Sequence, residues 1–205
     1  MSFMETLLID KFEVPCQTDP EYKISSNQCS WCAVLFGINY KELLKAYLND
    51  KAEFIKLYKK YLNDSTLMRK EYGQPLYGEN IDNKILKEKT ELTNRIFKEA
   101  NFELNPKKSQ EFLKLLPDDL KNEFYTKKYI NINDFSFLLS YKFTLISRHG
   151  QSFVIIPYGN HFLVLDSHAH HIGLMTYDNT VKYIKYQNSE NLIDGYLFIT
   201  ILCCA

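Results

Sequence analysis

Phe162-Leu163-Val164-Leu165-Asp166-Ser167-His168 is an apolar run that ends in a carboxylate and an imidazole two positions apart. Its length and the turn formers around it read as a buried strand with Asp166 and His168 at the C-terminal edge. Phe143 to Ser147, Ser152 to Tyr158, His161 to Asp166 and Tyr196 to Leu202 share this character. Each is short, rich in β-branched and aromatic residues, and bounded by Gly, Asn or Asp, as pleated half-buried segments are. Tyr158-Gly159-Asn160-His161 predicts a hairpin turn, and hairpins make a mainly antiparallel sheet.

The chain ahead of these strands has a different period. Residues 1–28 read as irregular, with Pro15, Pro20 and the polar stretch Ser25-Ser26-Asn27-Gln28. Ser and Asn are good helix N-caps, so Trp31-Cys32-Ala33-Val34-Leu35-Phe36 is expected to be a buried helix that stops at Gly37. Two amphipathic helices follow, Tyr40 to Leu48 and Lys51 to Leu62. The second gathers Phe54, Ile55, Leu57, Tyr58, Tyr61 and Leu62 on one face. Gly73 to Gly78 reads as a loop, 81–100 as a helix, and 107–116 and 118–125 as shorter helical pieces split by Pro117. Helices first and a mainly antiparallel sheet later is an α+β plan, in one domain of 205 residues with a helical middle segment at about 40–125.

Composition excludes several classes of function. Twenty-five basic and 25 acidic residues cancel, and no polybasic run is present, so a nucleic-acid partner is not expected. No apolar stretch approaches the ~20 residues of a membrane span, and the N-terminus does not resemble a signal peptide. With 45% apolar and 15% aromatic residues, the chain has enough to build a packed core. Its five cysteines, an odd number in a chain too large to need staples, read as reduced thiols in a cytoplasmic setting.

Cys29 stands where the polar stretch gives way to the apolar helix. A thiol at a helix N-terminus feels unpaired backbone N–H groups and the dipole, which favour thiolate, and the same N–H groups can serve an oxyanion. A small buried core residue is the ordinary use of a lone cysteine. Asp166 and His168 change that weighing. On a strand, positions i and i+2 share a face, and an imidazole beside a carboxylate is the base and orienter that thiol activation needs. His170 and His171 follow at once, and with Cys29-x-x-Cys32 they raise a zinc site as a competitor. The histidines lack the usual His-x3–5-His spacing and Cys32 falls inside the apolar helix, so no metal or other cofactor is expected.

Ser26-Asn27-Gln28-Cys29-Ser30-Trp31-Cys32-Ala33, followed far downstream by Asn160-His161-Phe162-Leu163-Val164-Leu165-Asp166-Ser167-His168, resembles the deubiquitinase domain of herpesvirus large tegument proteins and the tegument-like deubiquitinases outside herpesviruses. The resemblance covers nearly the whole chain, with a similar spacing between nucleophile and base. It implies a papain-like cysteine protease fold, with the nucleophile helix packed on the sheet that carries the base. It implies Cys29 as nucleophile, His168 as base and Asp166 as orienter. The Asp stands two positions before the His, as in the tegument group, whereas papain-like proteases place an Asn after it. It also implies a glutamine upstream of the nucleophile that helps bind the oxyanion, and Gln17 in Pro15-Cys16-Gln17-Thr18-Asp19 is the counterpart. Gln28 is the competing position, set aside because a side chain next to the nucleophile points elsewhere. The implied activity is hydrolysis of isopeptide or peptide bonds after the C-terminal glycine of ubiquitin or a ubiquitin-like modifier, by a monomer whose partner is ubiquitin or its chains.

Residues 40–125 match no motif of that family, and substrate choice is expected to reside there. Trp31 reads as a core residue on its helix face or as a flank of the cleft. A catalytically silent ubiquitin-binding module and another Cys-His-Asp enzyme, such as an acyltransferase, stand as alternatives.

Overall fold

The computed structural model describes residues 1–22, 28–72, 124–148, 151–189, 192–193 and 195–204. Its architecture is α+β. Helices α1 (Phe3–Leu7), α2 (Cys29–Ile38), α3 (Tyr40–Asn49) and α4 (Lys51–Tyr72) are joined late in the chain by α5 (Tyr177–Gln187). The strands are β1 (Phe12–Glu13), β2 (Phe124–Asn131), β3 (Phe143–Arg148), β4 (Gln151–Tyr158), β5 (His161–Leu165), β6 (His171–Thr176), β7 (Leu192–Ile193) and β8 (Tyr196–Cys204). They form one sheet in the order β1-β6-β5-β4-β3-β8-β2, with β7 beside β8. Every described pairing is antiparallel.

The four strands read from the sequence are present to within two residues at each end. Tyr158 pairs with His161 across the hairpin turn, where Gly159 has a φ of 57°. That conformation is cheap for glycine and strained for most other residues. The interior of β4 is buried on both faces and β5 is buried from Phe162 onward, because α2 packs against β4 and β3 on one side. This burial explains why β5 is a continuous apolar run without alternation.

The helical readings hold for α3 and α4 and need correction elsewhere. Helix α2 runs through Gly37 to Ile38 instead of stopping there. A Cβ at Gly37 would lie 2.6 Å from the ring of Phe143, so this glycine admits close approach of the sheet and does not end the helix. Gln28 is the N-cap residue, not Ser or Asn, and it makes no side-chain capping bond. Helix α4 continues ten residues beyond Leu62, carrying buried Ser65 and Met68 on its core side. Residues 124–125 are strand, not helix. The readings of 73–78, 81–100, 107–116 and the rest of 118–125 lie outside the described residues.

The N-terminal stretch is not irregular. It forms α1 and then a strap laid antiparallel along β6. Ile9 N–H bonds to Leu174 O (2.8 Å), Phe12 pairs with Ile172, and Val14 N–H bonds to His170 O (2.9 Å). Gly173 lets this strap lie flat, since a Cβ there would sit 1.9 Å from Asp10 O. The strap ends at Gln17, whose N–H bonds to Ser167 O (2.8 Å). The fold thus delivers Gln17 to the same sheet edge as Asp166 and His168.

Candidate active site

Strand β5 ends at Leu165, so the alternation expected to align Asp166 and His168 is not what aligns them. They belong to a turn. Asp166 Oδ1 accepts from His168 N–H (2.9 Å), and Asp166 O accepts from Ala169 N–H (3.0 Å). An aspartate that caps the backbone two residues on is the usual way such a turn is locked. The same Oδ1 lies 3.0 Å from His168 Nδ1, which fixes the ring's orientation. A neutral imidazole that donates from Nδ1 has Nε2 as its acceptor.

The other carboxylate oxygen is held as firmly. Tyr183, buried on α5, donates its hydroxyl to Asp166 Oδ2 at 2.5 Å. Burial and the charge of Asp166 push the Tyr183 phenol well above its ordinary range, so it stays protonated and donates. Tyr58 of α4 donates to Asp166 O (3.3 Å). Asp166 is 6% exposed, so these bonds stand where burial would otherwise penalise its charge.

Cys29 is the first residue of α2 and is buried, with its thiol hydrogen-bonded to the His168 ring. Burial acts to lower the His168 pKa, but hydrogen bonds to Asp166 and Cys29, and the charges of both, outweigh it and push it up to about 10. Gln28, the residue before Cys29, makes no side-chain capping bond to the start of α2. Gln28 is turned away from this end, its Nε2 bonded to Ser65 Oγ and Thr66 Oγ1 of α4 (2.9 Å each).

Gln17 is buried and joined to the turn by Ser167. Its Oε1 accepts from Ser167 Oγ at 2.6 Å, which leaves the amide N–H2 as the end that can donate. Cys29, Asp166, His168 and Gln17 therefore gather at one edge of the sheet, the first three in a hydrogen-bonded line and Gln17 through Ser167. Cys32 does not join them. It is fully buried, donates to Ser65 Oγ (3.3 Å), and burial pushes its thiol up to about 12. Trp31 is a core residue at 2% exposure. Cys16, Cys29 and Cys32 are thiols outside any disulfide.

Sequence reading missed Tyr183, Tyr58 and Ser167. A signal for α5 was present: Thr176 caps Asn179 N–H (3.1 Å), and Thr180, Tyr183 and Ile184 follow at helical spacing as its buried face. Nothing local marks Tyr183 as the residue that reaches Asp166.

No protein-family model matches the chain, and no curated protein matches it in sequence. Among solved structures it is similar to the ubiquitin-specific protease encoded by murine cytomegalovirus tegument protein M48, determined in complex with a ubiquitin-based suicide substrate. The two overlay over 96% of this chain and 88% of that chain, with a TM-score of 0.45 and 10% identity. The likeness is weak. No helix of the described residues is long and apolar enough to cross a membrane.

Proposed function

We propose that this chain is a papain-like cysteine hydrolase acting on ubiquitin or a ubiquitin-like modifier, with Cys29 as nucleophile, His168 as general base and acid, and Asp166 as orienter. The observation that carries the reading is the hydrogen-bonded line from Tyr183 through Asp166 and His168 to Cys29 at the start of α2. The choice of modifier rests on the sequence resemblance of Asn27-Gln28-Cys29 and Asp166-Ser167-His168 to the tegument-like deubiquitinases.

In this mechanism the Cys29 proton passes first to His168 Nε2, whose raised pKa of about 10 favours the imidazolium, and the Sγ thiolate then attacks the carbonyl of the modifier's C-terminal glycine. The tetrahedral oxyanion is met by the Cys29 backbone N–H and by the Gln17 amide. Donors of this kind lower the barrier by about 3 kcal/mol each in well-studied hydrolases. His168 then gives its proton to the departing amine as the C–N bond breaks, leaving a thioester. Water attacks the thioester, losing its proton to His168, and the thiol is regenerated. Asp166 keeps the ring in one tautomer and supports its positive charge without taking the proton.

Ubiquitin carrying a C-terminal electrophile, together with a fluorogenic ubiquitin amide, tests the proposal. The expected outcome is a covalent adduct at Cys29 with steady turnover, and a panel of defined diubiquitins and other modifiers then gives the preference. Binding of ubiquitin with neither capture nor turnover identifies a silent binding module. Capture with transfer to an amine acceptor in preference to water identifies an acyltransferase. Either result overturns the hydrolase assignment, and a lack of binding and capture across the panel overturns the substrate assignment too.

A further inference from the structure

Cys16, Asp19 and His170 place one ligand atom each within 4.8 Å of one another. The competitor weighed from sequence drew on Cys29, Cys32 and the histidines. This is a different set, formed by the fold: residue 16 from the strap, residue 19 from the turn that follows it, and residue 170 from the stretch after the Asp166–His168 turn.

Two features make it more than a chance meeting. First, Cys16 and Asp19 are three apart across a turn closed by Asp19 N–H to Cys16 O (3.0 Å), so both donors project from one side of a rigid loop. Paired donors separated by two residues are how structural zinc loops present their ligands. Second, the two oxygens of Asp19 have separate tasks. Oδ2 accepts from Cys16 N–H (2.9 Å) and holds the turn, while Oδ1 faces His170 Nδ1 at 3.9 Å. Neighbouring ligand atoms around tetrahedral zinc sit roughly 3.4–3.8 Å apart, given bonds of about 2.0–2.3 Å. Closing the set takes about 1 Å of movement on that geometry, and His170, 61% exposed, is the side chain free to make it.

We propose that Cys16, Asp19 and His170 form a binding site for a soft divalent cation with the preferences of Zn2+, its fourth position open to water on the exposed His170 side. The donor set is one thiolate, one imidazole and one carboxylate, which suits zinc over calcium or magnesium. On binding, Cys16 loses its proton to solvent and its Sγ–H bond to His168 O (3.2 Å), and a Zn–S bond replaces them. The cation then clamps the strap carrying Gln17 onto the stretch carrying His168. Those two segments are otherwise joined by Gln17 N–H to Ser167 O, Ser167 Oγ–H to Gln17 Oε1 and Val14 N–H to His170 O.

The test uses the full chain with Cys29→Ala, which removes the other thiol that faces a histidine and makes the result independent of the proposed catalytic role. Co2+ is titrated in and followed by its thiolate charge-transfer and tetrahedral d–d bands, and Zn2+ is then added. One equivalent of Co2+ giving both bands, displaced by Zn2+ and accompanied by a rise in Tm, is the expected result. Cys16→Ser removes the charge-transfer band. His170→Ala, at an exposed position that does not threaten the fold, weakens binding by more than the roughly 10–100-fold that loss of an outer-shell partner costs. Asp19→Asn keeps an acceptor for Cys16 N–H and weakens binding while preserving the turn. A spectrum without thiolate character overturns the site, as does a band that persists in both Cys16→Ser and His170→Ala.

Discussion

Tyr183→Phe removes one oxygen from the buried network and leaves the ring that packs against Phe153. The deleted group donates at 2.5 Å to Asp166 Oδ2, while Oδ1 keeps its bonds from His168 N–H and Nδ1. A hydrogen bond to a charged group contributes about 1.5–3 kcal/mol, so the variant is expected to lose about 2 kcal/mol of stability. For a chain of this size that is a fall in Tm of roughly 4–8 °C. The catalytic effect is smaller than loss of Asp166 itself, because the turn still holds Oδ1 against the imidazole. If about 1.4 kcal/mol of positioning is lost, kcat falls roughly tenfold. KM stays within about twofold, since Tyr183 is buried away from any modifier. Denaturation curves and turnover of a fluorogenic ubiquitin amide read the two effects separately. The decisive comparison is the double variant: in an Asp166→Ala background, Tyr183→Phe should cost no further kcat, because its effect passes through Asp166. An undiminished kcat in the single variant, or additive losses in the double, would refute the view that Tyr183 positions the orienter.

Cys29→Ala should abolish both covalent capture and turnover, whereas Cys32→Ala keeps capture, and iodoacetamide at pH 8 followed by peptide mapping should label Cys29, which has the His168 ring beside it, in preference to Cys32, whose thiol is pushed up to about 12. Asp166→Ala should lower kcat by a few orders of magnitude with ubiquitin affinity intact, measured by single-turnover kinetics and titration, because it acts on His168. Gln17→Ala should lower kcat roughly 100-fold with KM little changed. Gln28→Ala, which removes the amide donated to Ser65 and Thr66 of α4, should lower Tm with a smaller effect on kcat, and the reverse pattern would move the oxyanion role to Gln28.

Three candidate site residues lie in short local patterns, Cys29 at a polar-to-apolar helix start and Asp166 and His168 in a run ending in Asp-x-His, whereas Gln17 was singled out only through the family resemblance. The reason Asp166 meets His168 was not legible. Alternation on a strand and an aspartate-capped turn both bring residues i and i+2 together, and only the backbone bonds distinguish them. Strand β2 escaped because a register shift between Lys127 and Tyr129 breaks its period of two, which disguises an edge strand as polar sequence. Strand β1 is two residues long and is held by backbone bonds to β6, which leave no side-chain signature. Tyr183 escaped for a different reason. Its partner is remote in the chain's path, and a buried tyrosine on an amphipathic helix looks the same whether or not its hydroxyl has work to do.

The tie between the strap and the catalytic turn joins residues 150 or more apart in sequence, Gln17 to Ser167 and Cys16 to His168. A ribosome making this chain releases Cys29 long before His168 exists. At about 5–20 residues per second, roughly 7–28 s of synthesis separate the two. Throughout that interval the thiol has no imidazole beside it, and Asp166 later waits again for Tyr183. On the proposed mechanism the nascent chain is therefore inactive, and competence waits for α5 to bring Tyr183 to Asp166.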